Sequence, residues 1–401
     1  MKILFLSRWY PFPPDNGSKI RISNLIRYLS ERHEIDLISF SSDSVSANRI
    51  QEAESYCSNV TTIKYHDFKP LHWKAILGFF SRKPRSMVYT HDQSMQQCIE
   101  NAITKNDYEV VIASQLDILP YTEKIKCCNK ILEELELTPF HEQIAREKSV
   151  FGKLRRKTAW KKLANYIGAA TKDFAGITVV SEKEQRIVAK VVNQSIEVKV
   201  VPNTIDLDAN FAYSGTKKTL FPSLIFNGAL SFYVNHDAMK YFTQDIFPIV
   251  QETIPDVKLF ITGGLSEVDL SGFPKNEQIV FTGYLEDIRK AVAESWACVV
   301  PIQLGGGTRL KILESLSLRT PVISTTKGAE GLDLTPGKDY LVGDSSDEFT
   351  KQIIRLLQDE DLRSRMSESG YASIKENYDW RSGGAALEDF ICRIVKENVN
   401  S

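Results

Sequence analysis

Short runs of consecutive apolar residues alternate with longer stretches of helical periodicity along the whole chain. Uninterrupted apolar runs bounded by turn-forming residues are typical of parallel strands that are buried on both faces. In the first half the predicted strands are 3–7, 35–40, 60–65, 110–114, 130–132, 177–180 and 198–202. A second series is predicted at 224–227, 258–262, 279–282, 297–302, 321–324 and 340–342.

The alternation of strands and helices predicts an α/β protein with two Rossmann-like, doubly wound domains that face a central cleft. We expect an N-terminal domain over 1–203 and a C-terminal domain over 204–384. The polar, turn-rich stretch 204–222 is expected to be the linker between them. A terminal helix at 385–401 is expected to pack back on the first domain.

Composition and charge narrow the class of protein. The 401 residues are 42% apolar and 25% charged, as in a soluble globular protein of about two domains. The net charge of −1 combines +7 for residues 1–200 with −8 for the rest, which indicates an anionic surface near the first half or chance variation. Six scattered cysteines and no apolar run of ~18 residues favour a cytoplasmic protein.

The richest chemistry lies where the strand at 297–302 runs through Gly305-Gly306-Gly307 and Thr308 into a helix. Glycines let backbone N–H groups approach a ligand, and a helix N-terminus favours an anion. Arg309 and Lys311 add mobile positive charge, and Glu314 follows Lys311 by one turn on the same helical face. A diphosphate next to a carboxylate that accepts two ribose hydroxyls matches this pattern, which predicts a nucleotide-sugar site.

Two other glycine-rich phosphate loops are excluded. The P-loop needs Lys-Ser or Lys-Thr after its last glycine, whereas Gly307 is followed by Thr308 and Arg309. The dinucleotide pattern of three spaced glycines is also missing. The alternative is a flexible turn with ordinary surface charges, which the three adjacent glycines, the Arg, the Lys and the correctly phased Glu disfavour.

Several motifs together resemble the retaining glycosyltransferases of the GT-B fold, in the "group 1" or family-four class that includes bacterial exopolysaccharide and lipopolysaccharide sugar transferases. The resemblance rests on the first loop, on two landmarks between the domains, on the opening of the second domain and on the nucleotide motif. These segments are 4–17, 179–182, 200–206, 226–239 and 305–331. The resemblance implies the GT-B fold, with an acceptor-binding domain over 1–203 and a nucleotide-sugar-binding domain over 204–384. It also implies transfer of a sugar from a nucleotide-diphosphate donor to a glycan or lipid-linked acceptor with retention, in cell-surface polysaccharide biosynthesis.

Carried over position by position, the resemblance assigns donor contacts. Gly17 faces the donor diphosphate from the first domain, Gly283 and Tyr284 pack on the nucleobase, and Glu314 binds the ribose. The donor-binding residues are Gly17, Gly283, Tyr284, Gly305, Gly306, Gly307, Thr308, Arg309, Lys311, Glu314, Gly328, Ala329, Glu330 and Gly331. Arg309 and Lys311 are also expected to act in catalysis, by stabilising the charge on the departing phosphate.

The chain departs from the family pattern at several of its polar positions. The first of the two usual glutamates is replaced by Gly306, and Ala229 and Asn235 stand where many relatives carry Arg and Lys. Ser114-Gln115 stands where many carry a histidine. The leaving-group charge then falls on Arg309, Lys311 and backbone amides.

Carboxylates after the strand at 130–132 are further catalytic candidates. Glu133 and Glu136 are placed to bind acceptor hydroxyls or to stabilise an oxocarbenium ion, and solvated charges in an acidic loop are an equal alternative. His141 follows them and is more often structural. Asp206-Leu207-Asp208 has the DxD form of a metal site, but its place favours a capping role. We therefore expect no metal and no cofactor beyond the donor.

Two basic segments interleaved with aromatic and aliphatic residues, 69–85 and 146–163, are suited to an anionic bilayer. They predict peripheral contact with the inner face of the plasma membrane and a polyprenyl- or lipid-linked saccharide acceptor. An ordinary solvated helix and a core helix remain the alternative. Nucleic-acid binding is not expected, because the basic residues are local. For the chain as a whole, a noncatalytic donor- or glycan-binding subunit and a nucleotide-sugar epimerase stay open beside the transferase.

Overall fold

The computed structural model describes residues 1–42, 45–266, 268–305 and 309–399. They form two compact units. The first unit consists of Met1–Asn203 together with the chain from Trp380, and the second is Thr204–Asp379.

The first unit is built on a seven-stranded sheet whose pairings are all parallel. Its strands are β1 Lys2–Ser7, β2 Glu34–Ser41, β3 Asn59–Lys64, β4 Val110–Ser114, β5 Asn129–Glu133, β6 Gly176–Val179 and β7 Glu197–Val200. Their order across the sheet is β3-β2-β1-β4-β5-β6-β7, so the direction of winding reverses between β1 and β4. This reversal is where ligands bind in doubly wound folds.

The second unit repeats the plan with six parallel strands. They are β8 Ser223–Asn227, β9 Lys258–Thr262, β10 Ile279–Gly283, β11 Ala297–Val300, β12 Val322–Ser324 and β13 Leu341–Val342. The order β10-β9-β8-β11-β12-β13 places the reversal between β8 and β11. Every predicted strand is present, with ends within two residues of the prediction, and the doubly wound α/β class is confirmed.

Helices connect the strands and cover the sheets. The α-helices of the first unit are α1 Gly17–Ser30, α2 Ala47–Glu54, α3 Trp73–Leu77, α4 Arg85–Thr90, α5 Gln93–Lys105, α6 Thr138–Arg146, α7 Val150–Ala170 and α8 Glu182–Val188. Those of the second are α9 Leu207–Phe211, α10 Tyr233–Tyr241, α11 Phe247–Thr253, α12 Arg289–Glu294, α13 Leu310–Ser317, α14 Ser346–Gln358 and α15 Glu360–Asn377. The last helix, α16 Trp380–Val399, returns to the first unit. A 3₁₀ turn at Leu116–Tyr121 and a π turn at Phe242–Ile246 complete the set among the described residues.

Successive side chains along a strand point to opposite faces of the sheet, and both faces of each sheet are covered by apolar clusters. In β1, Leu4 and Leu6 belong to one apolar cluster, whereas Ile3 and Phe5 belong to the other. The second sheet is divided in the same way, with Leu224 and Ile225 of β8 in separate clusters. This double burial explains why the strands are uninterrupted apolar runs in the sequence.

The terminal helix α16 completes one face of the first sheet. Leu387, Phe390 and Ile391 are fully buried in the cluster that also holds Ile3 and Phe5. Gly176 at the start of β6 makes room for it, since a Cβ there would lie 2.4 Å from the Phe390 ring. The helix begins at Trp380, five residues before the predicted start at 385.

The stretch 204–222, predicted to be a linker, is packed on the second unit instead. The Asn210 side chain is buried and donates to the Ser317 hydroxyl at 2.7 Å. Lys218 donates to the carbonyl oxygen of Ser295 at 2.8 Å, and burial lowers its pKa to about 8. The polar side chains of this stretch thus form hydrogen bonds with groups of the second unit. The polar composition was therefore wrongly interpreted as that of a linker.

Replacing Phe390 tests the contribution of α16 to the first unit. We expect Phe390→Ala to lower the free energy of unfolding by about 3–5 kcal/mol, because it leaves a cavity under a fully buried ring. Urea denaturation followed by tryptophan fluorescence measures the change. Phe211→Ala, at a side chain that is 69% exposed, is the matched control and should change it by less than about 0.5 kcal/mol. Equal effects of the two variants would contradict this account of α16.

Candidate functional site

The glycine-rich segment 305–308, which the sequence predicts to be a turn, lies between β11 and α13 in the second unit. Gly305 is buried and has φ +98, a conformation that side chains rarely adopt. A Cβ at this position would also lie 2.8 Å from Val234. Glycine is therefore required there. Gly306, Gly307 and Thr308 lie outside the described residues, so their predicted contacts with a diphosphate stay predictions.

Arg309 is a fixed part of this turn, whereas the sequence predicted a mobile cation. Only 5% of it is exposed. Its Nη2 donates to the carbonyl oxygen of Gly305 at 3.0 Å and to that of Lys327 at 2.9 Å. The guanidinium thus ties the turn to the loop after β12, and it holds a full positive charge below the surface.

Lys311 extends from the first turn of α13 towards the end of β8. Its Nζ donates to Oδ1 of Asn235 at 3.1 Å and lies 5.1 Å from the centre of the Phe226 ring. Burial, reinforced by the positive charge of Arg309, lowers the pKa of Lys311 to about 8. Asn235 stands where many relatives of the resembled family carry a lysine, and here that position holds the ammonium of Lys311 in place.

Glu314 lies one turn further along α13 and is held by Asn227, the last residue of β8. The Asn227 amide nitrogen donates to Oε2 of Glu314 at 2.7 Å and to the carbonyl oxygen of Lys311 at 3.2 Å. The Asn227 oxygen accepts from the Cys298 thiol at 3.4 Å. Burial raises the pKa of Glu314, and the hydrogen bond from Asn227 opposes that shift. The structure therefore brings Lys311 and Glu314 together at the reversal between β8 and β11.

Asn227 is the residue that sequence reasoning undervalued. It appeared only as part of a landmark at the opening of the second domain, although it ends the predicted strand at 224–227. A polar side chain at the carboxyl end of a central parallel strand is the signal that identifies it.

The loops after β8, β9 and β10 pack closely at the same edge of the sheet. Gly263, with φ +112, leaves no room for a Cβ, which would lie 2.6 Å from the Cα of Ala229. Its N–H donates to the carbonyl oxygen of Gly283 at 3.1 Å. Gly283 has φ +71 and is followed by Tyr284, which is 68% exposed. An aromatic face is thereby presented next to the carboxyl ends of these strands.

The loop after β12 contains the remaining donor-binding candidates. The N–H of Gly328 donates to the Thr325 hydroxyl at 2.8 Å, and a Cβ on Gly328 would lie 2.3 Å from the Ser324 hydroxyl. Ala329 is buried, and Gly331 has φ +86. The Glu330 carboxylate pairs with Lys327, three residues earlier, so its charge is balanced within the loop.

In the first unit, Gly17 begins α1, and the side chain of Asn16 caps the helix by accepting from the N–H of Lys19 at 3.1 Å. Glu136 is half-buried after β5. His141 is exposed and its ring lies 4.4 Å from that of Trp160, which fits a structural role.

Glu133, predicted to contact the acceptor, is fully buried in an ion pair. Its Oε1 lies 2.5 Å from Nε of Arg21, and its Oε2 accepts from the Ser114 hydroxyl at 2.7 Å. Arg21 in turn donates to the carbonyl oxygen of Val201 at 2.9 Å and to Asn203 at 2.7 Å. A carboxylate with both oxygens engaged and no exposed surface joins α1 to the sheet. The prediction that Glu133 binds acceptor hydroxyls is wrong for this geometry.

The next residue, Glu134, has the exposure that Glu133 lacks. It is half-buried, and its Oε2 accepts from Nε2 of Gln115 at 2.8 Å. Both residues have positive φ, 55 for Glu134 and 74 for Gln115, at a cost of roughly 1–2 kcal/mol each. Burial and the negative charge of Glu133 raise the pKa of Glu134 to about 8. Backbone strain of this kind concentrates at functional sites.

The DxD sequence has the capping role that its position favoured. Oδ1 of Asp206 accepts from the N–H of Ala209 at 3.0 Å at the start of α9. Within the described ranges, no group of three or more His, Cys, Asp or Glu side chains is arranged to hold a metal ion. In the same ranges no helix is long and apolar enough to cross a bilayer.

Comparison with known proteins supports the fold. Residues 221–359 match the family described as "Glycosyl transferases group 1". This range contains strands β8 to β13 and helices α10 to α14. Over 391 residues the chain is 21% identical to a Klebsiella pneumoniae protein described as an "uncharacterized 44.6 kDa protein in cps region". That similarity covers 94% of this chain and 96% of the other.

Solved structures resemble the whole chain. Sucrose-phosphate synthase from Thermosynechococcus elongatus has a TM-score of 0.69 at 13% identity, covering 99% of this chain and 100% of that one. Anabaena HepE in complex with UDP-glucose has a TM-score of 0.65 at 13% identity, with 98% and 100% covered. The chain has the GT-B fold, and its second unit contains the segment that matches the group 1 glycosyl transferases.

Proposed function

We propose that this protein is a glycosyltransferase that moves a sugar from a nucleotide-diphosphate donor to a glycan or lipid-linked acceptor with retention of configuration, in bacterial cell-surface polysaccharide biosynthesis. The observation that carries the proposal is the group formed by Lys311, Glu314 and Asn227 at the reversal of the second sheet. The side-chain amide of Asn227 donates to the carboxylate of Glu314 and to the backbone carbonyl oxygen of Lys311, and it thereby holds this turn of α13 against the end of β8.

The group is suited to the two polar parts of a nucleoside diphosphate. Oε2 of Glu314 is occupied by Asn227, while its Oε1 has no partner among the described residues. That oxygen is available to a ribose hydroxyl. Lys311 and the N-terminal turn of α13 supply positive charge and N–H groups for the diphosphate. A ribose and its diphosphate therefore fit along one helical turn.

Two neighbouring loops supply the rest of the donor site. The exposed ring of Tyr284 offers a surface for the nucleobase. The loop from Gly328 to Gly331 is tied to the glycine-rich turn through Arg309 and is placed to meet the transferred sugar. Because Arg309 is held by two carbonyl oxygens, its charge is oriented before the donor arrives, as electrostatic stabilisation of a transition state requires.

The reaction breaks the bond between the anomeric carbon and the diphosphate oxygen. Negative charge grows on the departing phosphate and positive charge on the sugar ring, so cations fixed near the phosphate stabilise the transition state more than the ground state. In a retaining reaction the leaving phosphate takes the proton of the acceptor hydroxyl as the new glycosidic bond forms. The protein then needs no base of its own, and no metal ion is invoked.

The comparisons support this proposal. The family match covers the unit that holds Lys311 and Glu314. One structure with the same fold is described in complex with UDP-glucose, and the Klebsiella relative is described as lying in a cps region. A nucleotide-sugar donor and a surface-polysaccharide product extend these descriptions to the present chain.

We further propose that the first unit contacts an anionic membrane that carries the acceptor. Large apolar side chains project from the two basic segments: Leu71, Trp73, Ile76, Leu77, Phe79, Phe80, Val150, Phe151 and Leu154. The segments touch, since Nζ of Lys162 donates to the carbonyl oxygen of Gly78 at 2.8 Å. The exposed cations of the same surface are Lys69, Lys74, Arg82, Lys148, Lys153, Arg155, Lys157 and Lys161. Apolar side chains amid cations suit the headgroup region of an anionic bilayer, on the cytoplasmic face of the membrane.

Donor binding tests the proposed function directly. A panel of UDP-, GDP-, ADP- and dTDP-sugars should contain one member that raises the melting temperature, because a ligand of the native state stabilises it. We expect Glu314→Ala to weaken binding of that donor by about 10- to 100-fold, because the variant loses a hydrogen bond between the donor and a charged group. Calorimetric titration measures the affinity, and Glu252→Ala, at an exposed position of the same unit, should leave it unchanged.

The outcomes of this panel separate the competing functions. Binding without turnover in the presence of acceptor would favour a noncatalytic subunit. Conversion of the donor alone into its epimer would favour an epimerase. If no nucleotide sugar shifts the melting temperature, the donor site itself is refuted.

The pH dependence of donor binding tests the role of Lys311. The pKa of its ammonium is lowered to about 8 in the free protein, and a bound diphosphate must raise it. Affinity should therefore be constant below pH 7 and fall by up to about 10-fold per pH unit above pH 8, as one proton must then be taken up on binding. Lys311→Arg should bind without this pH dependence, and Lys311→Met should bind weakly at every pH. A dependence that survives in the arginine variant would exclude Lys311 as its source.

Vesicle flotation tests the membrane contact. The protein should float with phosphatidylglycerol vesicles and not with phosphatidylcholine vesicles. Phe80→Ser combined with Phe151→Ser should reduce binding by at least about 10-fold, since burial of each ring contributes about 1.5–3 kcal/mol. Phe211→Ser, at an exposed ring of the second unit, is the control. Wild-type protein that stays wholly in the soluble fraction would refute the contact.

A further inference from the structure

Three adjacent strands of the first sheet end in polar residues that the donor site does not use. Ser7 of β1 is in register with Ser114 of β4, which is in register with Glu133 of β5. The residues that follow are Arg8, Gln115 and Glu134, here called the edge cluster. Neighbouring strands are about 4.8 Å apart, so the Cα atoms of the cluster span about 10 Å. The cluster lies at the reversal between β1 and β4, where doubly wound sheets bind ligands.

The Gln115–Glu134 pair presents both donors and acceptors at this edge. Its internal hydrogen bond uses one amide hydrogen of Gln115 and Oε2 of Glu134. The other carboxyl oxygen of Glu134 and the side-chain oxygen Oε1 of Gln115 have no hydrogen-bond partner in the part of the chain that the structure describes. Backbone bonds fix the pair: Gln115 N–H donates to the Glu133 carbonyl oxygen at 2.8 Å, and Glu134 N–H donates to the Thr178 hydroxyl at 3.2 Å. A rigid carboxyl–amide surface of this kind matches a sugar hydroxyl, which both donates and accepts.

Arg8 adds a buried positive charge to the same edge. It is 7% exposed and its guanidinium carbon lies 3.1 Å from the centre of the Tyr65 ring and 4.2 Å from that of Trp9. Its Nη1 is buried without a hydrogen-bond partner. The nearest carboxylate oxygen, of Asp117, is 3.8 Å from Nε, and the Asp117 side chain is 47% exposed. A buried guanidinium that is so weakly compensated favours an additional anion nearby.

We propose that the edge cluster is the acceptor site, in which Gln115 and Glu134 bind a hydroxyl of the acceptor saccharide and Arg8 attracts a phosphate or carboxylate of the same acceptor. The inference rests on the proposed function, because it names the acceptor's side of the transfer. It assigns to Glu134 and Gln115 the role that the sequence gave to Glu133 or Glu136. Specificity then favours acidic saccharides over neutral ones.

The protonation state of Glu134 gives this site a pH signature. The charged groups around Glu134 are Glu133 and Glu136, which disfavour its ionisation, and Arg21, which favours it. The charged groups after the neighbouring strands are Arg8, which follows β1, and Asp117, which lies after β4. Below pH 8 the carboxyl is neutral and donates or accepts a hydrogen bond. Above it, the carboxylate repels an anionic acceptor, so acceptor binding should weaken as pH rises through 8.

Saturation-transfer NMR with glucose, glucose 1-phosphate and glucuronate tests the inference, with the nucleotide identified by thermal shift present at saturation. Wild-type protein should bind the two acidic sugars at least about 10-fold more tightly than glucose, because their acidic group can form a charge-assisted hydrogen bond with Arg8. Glu134→Ala should weaken the binding of both acidic sugars about 5- to 10-fold, because it removes one neutral hydrogen bond. Glu134→Gln should retain binding at pH 7 and lose the decline above pH 8. Glu31→Gln, at the exposed C-cap residue of α1, is the control.

The outcomes distinguish the two levels of the proposal. If nucleotide binding persists in Glu134→Ala while the acidic sugars bind about 5- to 10-fold more weakly, both the donor assignment and the edge cluster are supported. Equal binding of acidic sugars by wild type and Glu134→Ala, or no binding of any of the three probes by wild type, overturns the edge cluster and leaves the donor site standing. Arg8→Lys, checked for an unchanged melting temperature, should lower the preference for acidic sugars. An unchanged preference removes Arg8 from the site.

Discussion

Uniformly parallel strand pairing is the constraint on which the candidate sites depend. In a parallel sheet every strand delivers its carboxyl end to the same edge, and the reversal of winding opens a crevice there. In the second unit that edge holds Asn227 at the end of β8 and, across the reversal, the turn that leads to α13. In the first it holds Arg8, Gln115 and Glu134. Residues far apart in sequence meet because the topology leaves them no other edge.

Electrostatics at these edges follow from burial. Lys311 and Glu314 are held within one helical turn, yet the pKa of the first is lowered and that of the second raised. Each shift favours the neutral form, because desolvation outweighs the attraction between the two charges. The Arg21–Glu133 pair differs, since the two charges contact each other directly and further hydrogen bonds join Glu133 to Ser114 and Arg21 to Asn203. Lys311 and Glu314 are placed to receive a charged or polar ligand, whereas both carboxylate oxygens of Glu133 are already engaged within the protein.

Much of the fold was predictable from the sequence, and the candidate site less so. Strands buried on both faces are unbroken apolar runs, and their positions were recovered to within two residues. The partners of Lys311 and Glu314 were not recovered, because Asn227 and Asn235 come from other elements and approach only after folding. Glu133 was chosen in place of Glu134 because adjacent residues of a strand point to opposite sides, and the sequence does not reveal at which residue the strand ends. The segment 204–222 was misjudged because a polar composition is shared by linkers and by chains that satisfy buried polar groups.

The return of α16 to the first unit makes the second unit an insertion within the first. The buried ring of Phe390 fills the space that Gly176 leaves open, yet more than half of the chain separates these two residues in sequence. During synthesis, the first sheet leaves the ribosome with one apolar face incomplete and stays so until the whole second unit has been made. The second unit, whose residues are contiguous, has no such delay. Order of synthesis and order of completion are therefore opposite in this chain.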